Sequence, residues 1–167
     1  MTERQIRLFG DPVLRSASDP VRIGDGGNPG LVEDLLDTVR APGRAGVAAP
    51  QIGVGLRAFS WNVDGEVGYL LNPELVEVSG EPDLVDEGCL SVPGFYFPRM
   101  RWPRAVARGV DLEGNELVVE GEGVLAQALQ HELDHLDGRL FVEGLEPETK
   151  REAMREIRSS EWFRSAH

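Results

Sequence analysis

Residues 122 to 137 carry Val124, Leu125, Ala128, Leu129, Leu133 and Leu136 at helical spacing, covering most of a helix circumference. A helix apolar on nearly every side is central, so the rest of the chain must wrap it. Gly138 stands where such a helix stops. Into this segment the sequence sets His131, Glu132 and His135, as H-E-L-D-H. At about 3.6 residues per turn, positions four apart stack on one face, so two imidazoles can hold one cation. The helix that organises the core thus also carries metal-binding chemistry.

The flanking segments predict the wrapping. Arg4 to Phe9 reads as a short strand, closed by a turn at Gly10, Asp11 and Pro12. Asp19 to Gly30 is a loop rich in Gly and Pro. Asn28 and Pro29 then open an N-terminal helix through Leu31, Val32, Leu35, Leu36 and Val39, ended by Pro42 and Gly43. From Gly55 to Glu120 the pattern becomes short extended pieces: Leu56 to Trp61, Val67 to Leu71, Leu75 to Val78, Ala105 to Asp111 and Leu117 to Val119. Turns at Asp64-Gly65, Gly80 and Glu113-Gly114-Asn115 separate them. No helical crossover lies between, so the pairing is antiparallel. A last helix begins near Pro147 and runs to about Ser159. The expected fold is α+β, with antiparallel β-sheets packed around the HExxH helix, an N-terminal helix and a C-terminal helix. Residues 1 to 167 show no repeat or linker and are expected to form a single domain.

Charge narrows the function classes. A net charge of −12 argues against a broad nucleic-acid surface, because phosphate binding needs clustered Lys and Arg. No apolar run approaches the roughly 20 residues that span a bilayer. The opening MTERQIRLFG lacks the apolar core of a signal peptide, so the cytoplasm is the expected compartment.

Two imidazoles are too few for a stable divalent site, and catalytic sites of the zinc type use three protein ligands and an open position. The single cysteine, Cys89, is a buried small hydrophobe, a nucleophile or a ligand. As a ligand it completes a set with His131 and His135, and its thiolate leaves the metal net positive. Glu132 is then the base. The plainer alternative is a helix with two individually hydrogen-bonded histidines, which burial makes costly. A third segment, Gly46-Val47-Ala48-Ala49-Pro50-Gln51, lets a substrate backbone approach closely, and Gln51 offers an amide N–H to an oxyanion. Taken alone, such a small-residue loop reads first as a turn or close packing. Two nitrogens and one sulfur suit Zn, Fe, Co or Ni.

Together these segments resemble peptide deformylase, whose signature is GxGxAAxQ, then EGCLS, then QHExDHxxG. Here they read Arg44 to Gln51, with Arg44 in place of the first glycine, then Glu87 to Ser91 and Gln130 to Gly138, both intact. Phe9 to Arg15 is similar to the family's N-terminal segment. The resemblance implies hydrolysis of the N-formylmethionyl end of nascent polypeptides to formate and a free amino terminus. It implies one divalent ion on Cys89, His131 and His135, Fe(II) in the cell, with Zn, Ni or Co as substitutes. It further implies that the Gln51 side chain and the Leu90 backbone N–H hold the oxyanion. A thiolate beside Fe(II) is open to oxidation, so activity should depend on anaerobic handling. Val124, Gln127 and Ala128, one turn before His131, could line a methionine pocket, with Gly46 at its crowded end; most such apolar positions are core. The stretch Gly94 to Trp102 belongs to no family motif.

Two other readings stay open. A zinc metallopeptidase of the HExxH type would take Glu156 or Glu161 as third ligand, though Glu148, Glu152 and Glu156 form a stripe expected of a solvated face. A noncatalytic, metal-stabilised binding domain would need a fourth ligand, for which only His167 is left among histidines. Arg151, Arg155 and Arg158 form a stripe that could touch ribosomal RNA, against the plainer reading of a surface helix with Glu–Arg pairs. Arg99, Arg101, Arg104 and Arg108 form a basic run with no assigned role.

Overall fold

The computed structural model describes residues 3–24 and 29–166. Helix α1 spans Pro29–Val39, as its apolar spacing predicts, and buries Val32, Leu35 and Val39. Asn28, expected at its start, and the middle of the preceding loop lie outside the described residues, as does His167. Strand β1 is Gly46–Ala48, followed by a 3-10 turn at Ala49–Ile52. Strands β2 (Ala58–Val63), β3 (Glu66–Ser79), β6 (Arg104–Val110) and β7 (Glu116–Glu122) join it in a five-stranded antiparallel sheet, ordered β1-β2-β3-β6-β7. Strands β4 (Asp83–Cys89) and β5 (Val92–Arg101) form a separate two-stranded sheet.

Helix α2, Val124–Leu136, packs on the five-stranded sheet and is the most buried helix described, with Ala126, Leu129 and Leu136 fully enclosed. At its end Gly138 takes φ +76°, the left-handed conformation that closes a helix. Helices α3 (Pro147–Arg158) and α4 (Glu161–Ala166) close the chain. On α3, Ala153 and Ile157 are buried, while Arg151, Arg155 and Arg158 lie exposed beside Glu148, Glu152 and Glu156. The expected α+β layering, with a helix at each end and HExxH in the middle, is the one observed.

Four local expectations change. Arg4 to Phe9 is not a strand, because its N–H groups go to three unrelated partners: Arg4 to Thr38 Oγ1 at 2.9 Å, Arg7 to Gln51 O at 2.7 Å and Phe9 to Ser91 O at 2.8 Å. Val67 to Leu71 and Leu75 to Val78 are one long strand, β3, with the ladder shifted around Asn72. Asn72 has φ +49° and exchanges hydrogen bonds with both backbone groups of Val21, which holds the kink inside the strand. Gly46 to Ala48 is an edge strand rather than a loop. The β4–β5 hairpin was not expected as a unit, since its residues alternate little between buried and exposed.

Candidate metal centre

Three donors from two separate pieces of structure converge. Cys89 ends β4, while His131 and His135 sit one turn apart on α2. Their ligand atoms all lie within 4.8 Å of one another. Cys89 Sγ is 3.4 Å from His135 Nε2, which is 3.1 Å from His131 Nε2. Both imidazoles are buried, and Nδ1 of His135 has no hydrogen-bond partner.

Glu87 fixes the orientation of His131. Its carboxylate lies 2.7 Å from His131 Nδ1 and holds a proton on that nitrogen, so that Nε2 is the atom turned to the donor cluster and would become the ligand once a cation takes the place of its proton. Arg101, from β5, grips Glu87 at both oxygens, with Nε at 2.7 Å and Nη2 at 2.5 Å, and reaches Asp134 on α2 at 2.9 Å. Burial alone would raise the Glu87 pKa, but hydrogen bonds from Arg101 and His131 outweigh it and lower it to about 2. Burial opposes charge on His131, yet the Cys89 thiolate and the carboxylates of Glu132 and Glu87 hold its pKa well above the usual value. For His135, burial and the neighbouring His131 charge push it well below.

This arrangement fits a divalent cation. Two ring nitrogens from α2 and a sulfur from the end of β4 converge at one place, and three protein ligands leave a position open. Glu156 and Glu161 are exposed on α3 and α4 and take no part in the cluster, which gives the metallopeptidase alternative no third ligand.

Glu132 is buried more deeply than His131, yet it is not one of the three clustered donors, and its Oε1 has no hydrogen-bond partner. Burial, the first cause, raises its pKa to about 7. The opposite wall is Gly46, where a Cβ would come within 2.5 Å of Glu132 Oε2. The glycine therefore makes room for the carboxylate. Gln51 is 1% exposed; its Oε1 accepts from Ala48 N at 3.0 Å, and its Nε2 points to Ser91 Oγ at 3.2 Å and Cys89 Sγ at 3.6 Å.

A cavity of about 440 Å³ opens over these groups. Gly46, Gln51, Leu90, Val124, Gln127 and Ala128 all line it, as the sequence reading expected, together with Cys89, His131 and Glu132; His135 lies behind them. Arg44 lines it too. Its backbone avoids positive φ, which falls on Gly43 at +81°, so the departure from the glycine motif introduces no left-handed strain.

Known proteins of similar sequence and structure share one family name. The sequence model described as polypeptide deformylase matches residues 3–151. A peptide deformylase of Acidothermus cellulolyticus is 52% identical over 163 residues, covering 97% of this chain and 89% of that protein. The chain belongs to the peptide deformylase family. A crystal structure of the Legionella pneumophila peptide deformylase superposes with a TM-score of 0.88 at 36% identity, covering 99% of both chains. That from Thermus thermophilus gives 0.85 at 39% identity, covering 93% of each.

Several residues of this deformylase centre escaped the sequence reading. Glu87 lies within the EGCLS segment, where the sequence alone gives it no role. Arg101 was one of four arginines in a run, and nothing in linear sequence separates it from exposed Arg104. Gly94, Phe95 and Tyr96, from the stretch outside the motifs, form part of the cavity wall.

Proposed function

We propose that the chain hydrolyses the formyl group from the N-terminal formylmethionine of nascent polypeptides, releasing formate and a free amino terminus. Residues 1 to 167 would act as one domain, in the cytoplasm, where such chains emerge. The observation that carries this reading is a three-donor cluster of Cys89, His131 and His135 placed beside a buried, unpaired Glu132 and a small-residue wall. The close approach of Gly46 to the Glu132 side chain suits a small acyl group such as formyl.

Cys89, His131 and His135 would hold one divalent ion, Fe(II) in the cell, with Zn, Ni or Co able to substitute. Such an ion supplies Lewis acidity, lowering the pKa of water and drawing electron density from a carbonyl. Glu132 takes the proton of the attacking water and later delivers it to the departing nitrogen, so one buried carboxylate facing the cavity serves both steps. The Gln51 amide and the Leu90 N–H donate to the developing oxyanion. Glu87, locked by Arg101, keeps His131 in the one tautomer that presents Nε2.

The rest of the substrate has a natural track. Strand β1 lies at the end of its sheet and β4 belongs to a two-stranded one, and residues 44–46 and 86–90 face the same cavity. An extended peptide between these edges would find backbone partners on both sides. Its methionine side chain would rest on Val124, Gln127 and Ala128.

The test is incubation of the metal-loaded protein, under anaerobic conditions, with a formyl-Met peptide and with an unformylated peptide. Formate release from the first, with no internal cleavage of the second, is expected. Glu132→Gln should keep its metal and lose turnover by about 10²–10⁴-fold, and Cys89→Ser should lose metal itself. Undiminished turnover in Glu132→Gln, or cleavage of internal bonds, would overturn the reading.

A further inference from the structure

Arg44 stands where the family motif has its first glycine, and its surroundings give the replacement a use. It lines the cavity over the metal donors and also a second groove of about 440 Å³, bounded by Glu3, Arg4, Ile6, Leu90 and Pro93. The two spaces meet at Arg44, Leu90 and Pro93. Nη1 donates to Thr38 O at 2.8 Å, which anchors the guanidinium from the α1 side. The same nitrogen pairs with Glu3 Oε1 at 3.2 Å, where the glutamate side chain is 57% exposed and that of the arginine 19%.

Such an exposed partner is held weakly and can be exchanged for another carboxylate. A second cation, Arg4, lines the same groove, itself paired to Asp34 at 2.9 Å. In a chain with 29 acidic and 17 basic residues, two arginines thus line a groove in which Glu3 is the one acidic residue among the described lining residues.

Strand spacing places the contact. A peptide extended along β1 advances about 3.3 Å per residue, and Arg44 lies two residues before Gly46, at the site's crowded end. The side chains that reach it belong to the second or third residue of the substrate. From this geometry we infer that Arg44 is a specificity-determining residue that selects formyl-Met peptides with an acidic side chain at position two or three. Glu3 occupies that carboxylate position when substrate is absent. The inference rests on the deformylase reading above and deepens it.

The experiment compares kcat/KM for three amidated peptides, formyl-Met-Ala-Glu, formyl-Met-Ala-Gln and formyl-Met-Ala-Lys, and their counterparts with Glu, Gln or Lys at position two. At low salt the acidic member of at least one series should exceed the basic one by about tenfold, chiefly through KM, as expected for one charge-assisted hydrogen bond. The ratio should shrink at high salt. Arg44→Gln should bring it near one, Arg44→Lys should retain part of it, and Glu3→Gln should increase it. Glu3→Gln also covers the case in which Arg44→Gln fails to fold. Equal rates for acidic and basic peptides in the unaltered protein would overturn the inference, as would Arg44→Gln slowing every peptide with the ratio unchanged. Turnover of the neutral peptides separates the two readings: with it, a missing preference sinks only the role of Arg44; without it, the deformylase reading itself fails.

Discussion

A buried carboxylate with an unpartnered oxygen is costly, and Glu132 shows how that cost is used. Its pKa, raised to about 7 chiefly by burial, keeps a proton on the folded protein that the unfolded chain releases near 4.5. Between those values the folded state binds more protons, so Glu132 favours folding below about 4.5 and loses that contribution as pH rises through about 7. The metal-free protein should therefore lose stability across this window, by at most roughly 1.4 kcal/mol per pH unit from this one group. Glu132→Gln should flatten the slope. Denaturant melts of both proteins at pH 5, 6 and 7, after chelation, check this; parallel curves would show that the carboxylate is ionised throughout. A divalent ion nearby would pull the same pKa down, so the slope should weaken on metal loading.

Among elements, the β4–β5 hairpin depends on one buried cluster for its attachment to α2. Glu87 on β4 and Arg101 on β5 pair across the hairpin, and the same two side chains reach His131 and Asp134 on the helix. Arg101→Ala would strand a buried carboxylate, at a cost of about 3–5 kcal/mol. Because the Glu87 pKa is depressed to about 2, the lost stability is that present above about 4.5, and the two proteins should converge as pH falls toward 2. Metal affinity should fall as well, through the freed His131 ring. Urea titration and metal competition measure the two effects; an unchanged metal affinity would confine Arg101 to a purely structural part. Helices α1, α2 and α3 were legible in sequence because each carries an apolar stripe at 3.6-residue period. Strands β6 and β7 were legible as extended runs between clear turns. The hairpin was not, because a two-stranded ribbon with one face half in solvent has no strict alternation. In the site, Cys89, His131 and His135 were readable from scarcity and spacing, whereas the partnership of Glu87 with Arg101 exists only after β4 and β5 pair. Arg44 was visible as a departure, but its freedom from positive φ needed the backbone.

At the scale of the molecule, the donors join two bodies that otherwise pack on different neighbours. Helix α2 rests on the five-stranded sheet with Phe59, Leu70 and Ala107, whereas Val92 and Phe97 of the hairpin pack with Phe141, Leu145, Ala153 and Ile157. Cys89 belongs to the hairpin side and both histidines to the helix side, so a bound ion would cross-link the two. An ion that binds only the folded chain stabilises it by mass action, by about 4 kcal/mol at a thousand times its Kd. For a domain of this size each kcal/mol moves the midpoint roughly 2–4 °C. Chelation should thus lower the melting temperature by on the order of 10 °C, and restoring Zn or Ni should recover it. Cys89→Ser, lacking the hairpin's only donor, should melt near the chelated value and respond little to added metal. The measurement is thermal unfolding at fixed pH with stepwise metal addition. A melting temperature indifferent to chelation in the unaltered protein would mean that the ion, though held, does not tie the hairpin to the helix, and that the Glu87–Arg101 cluster carries that junction alone.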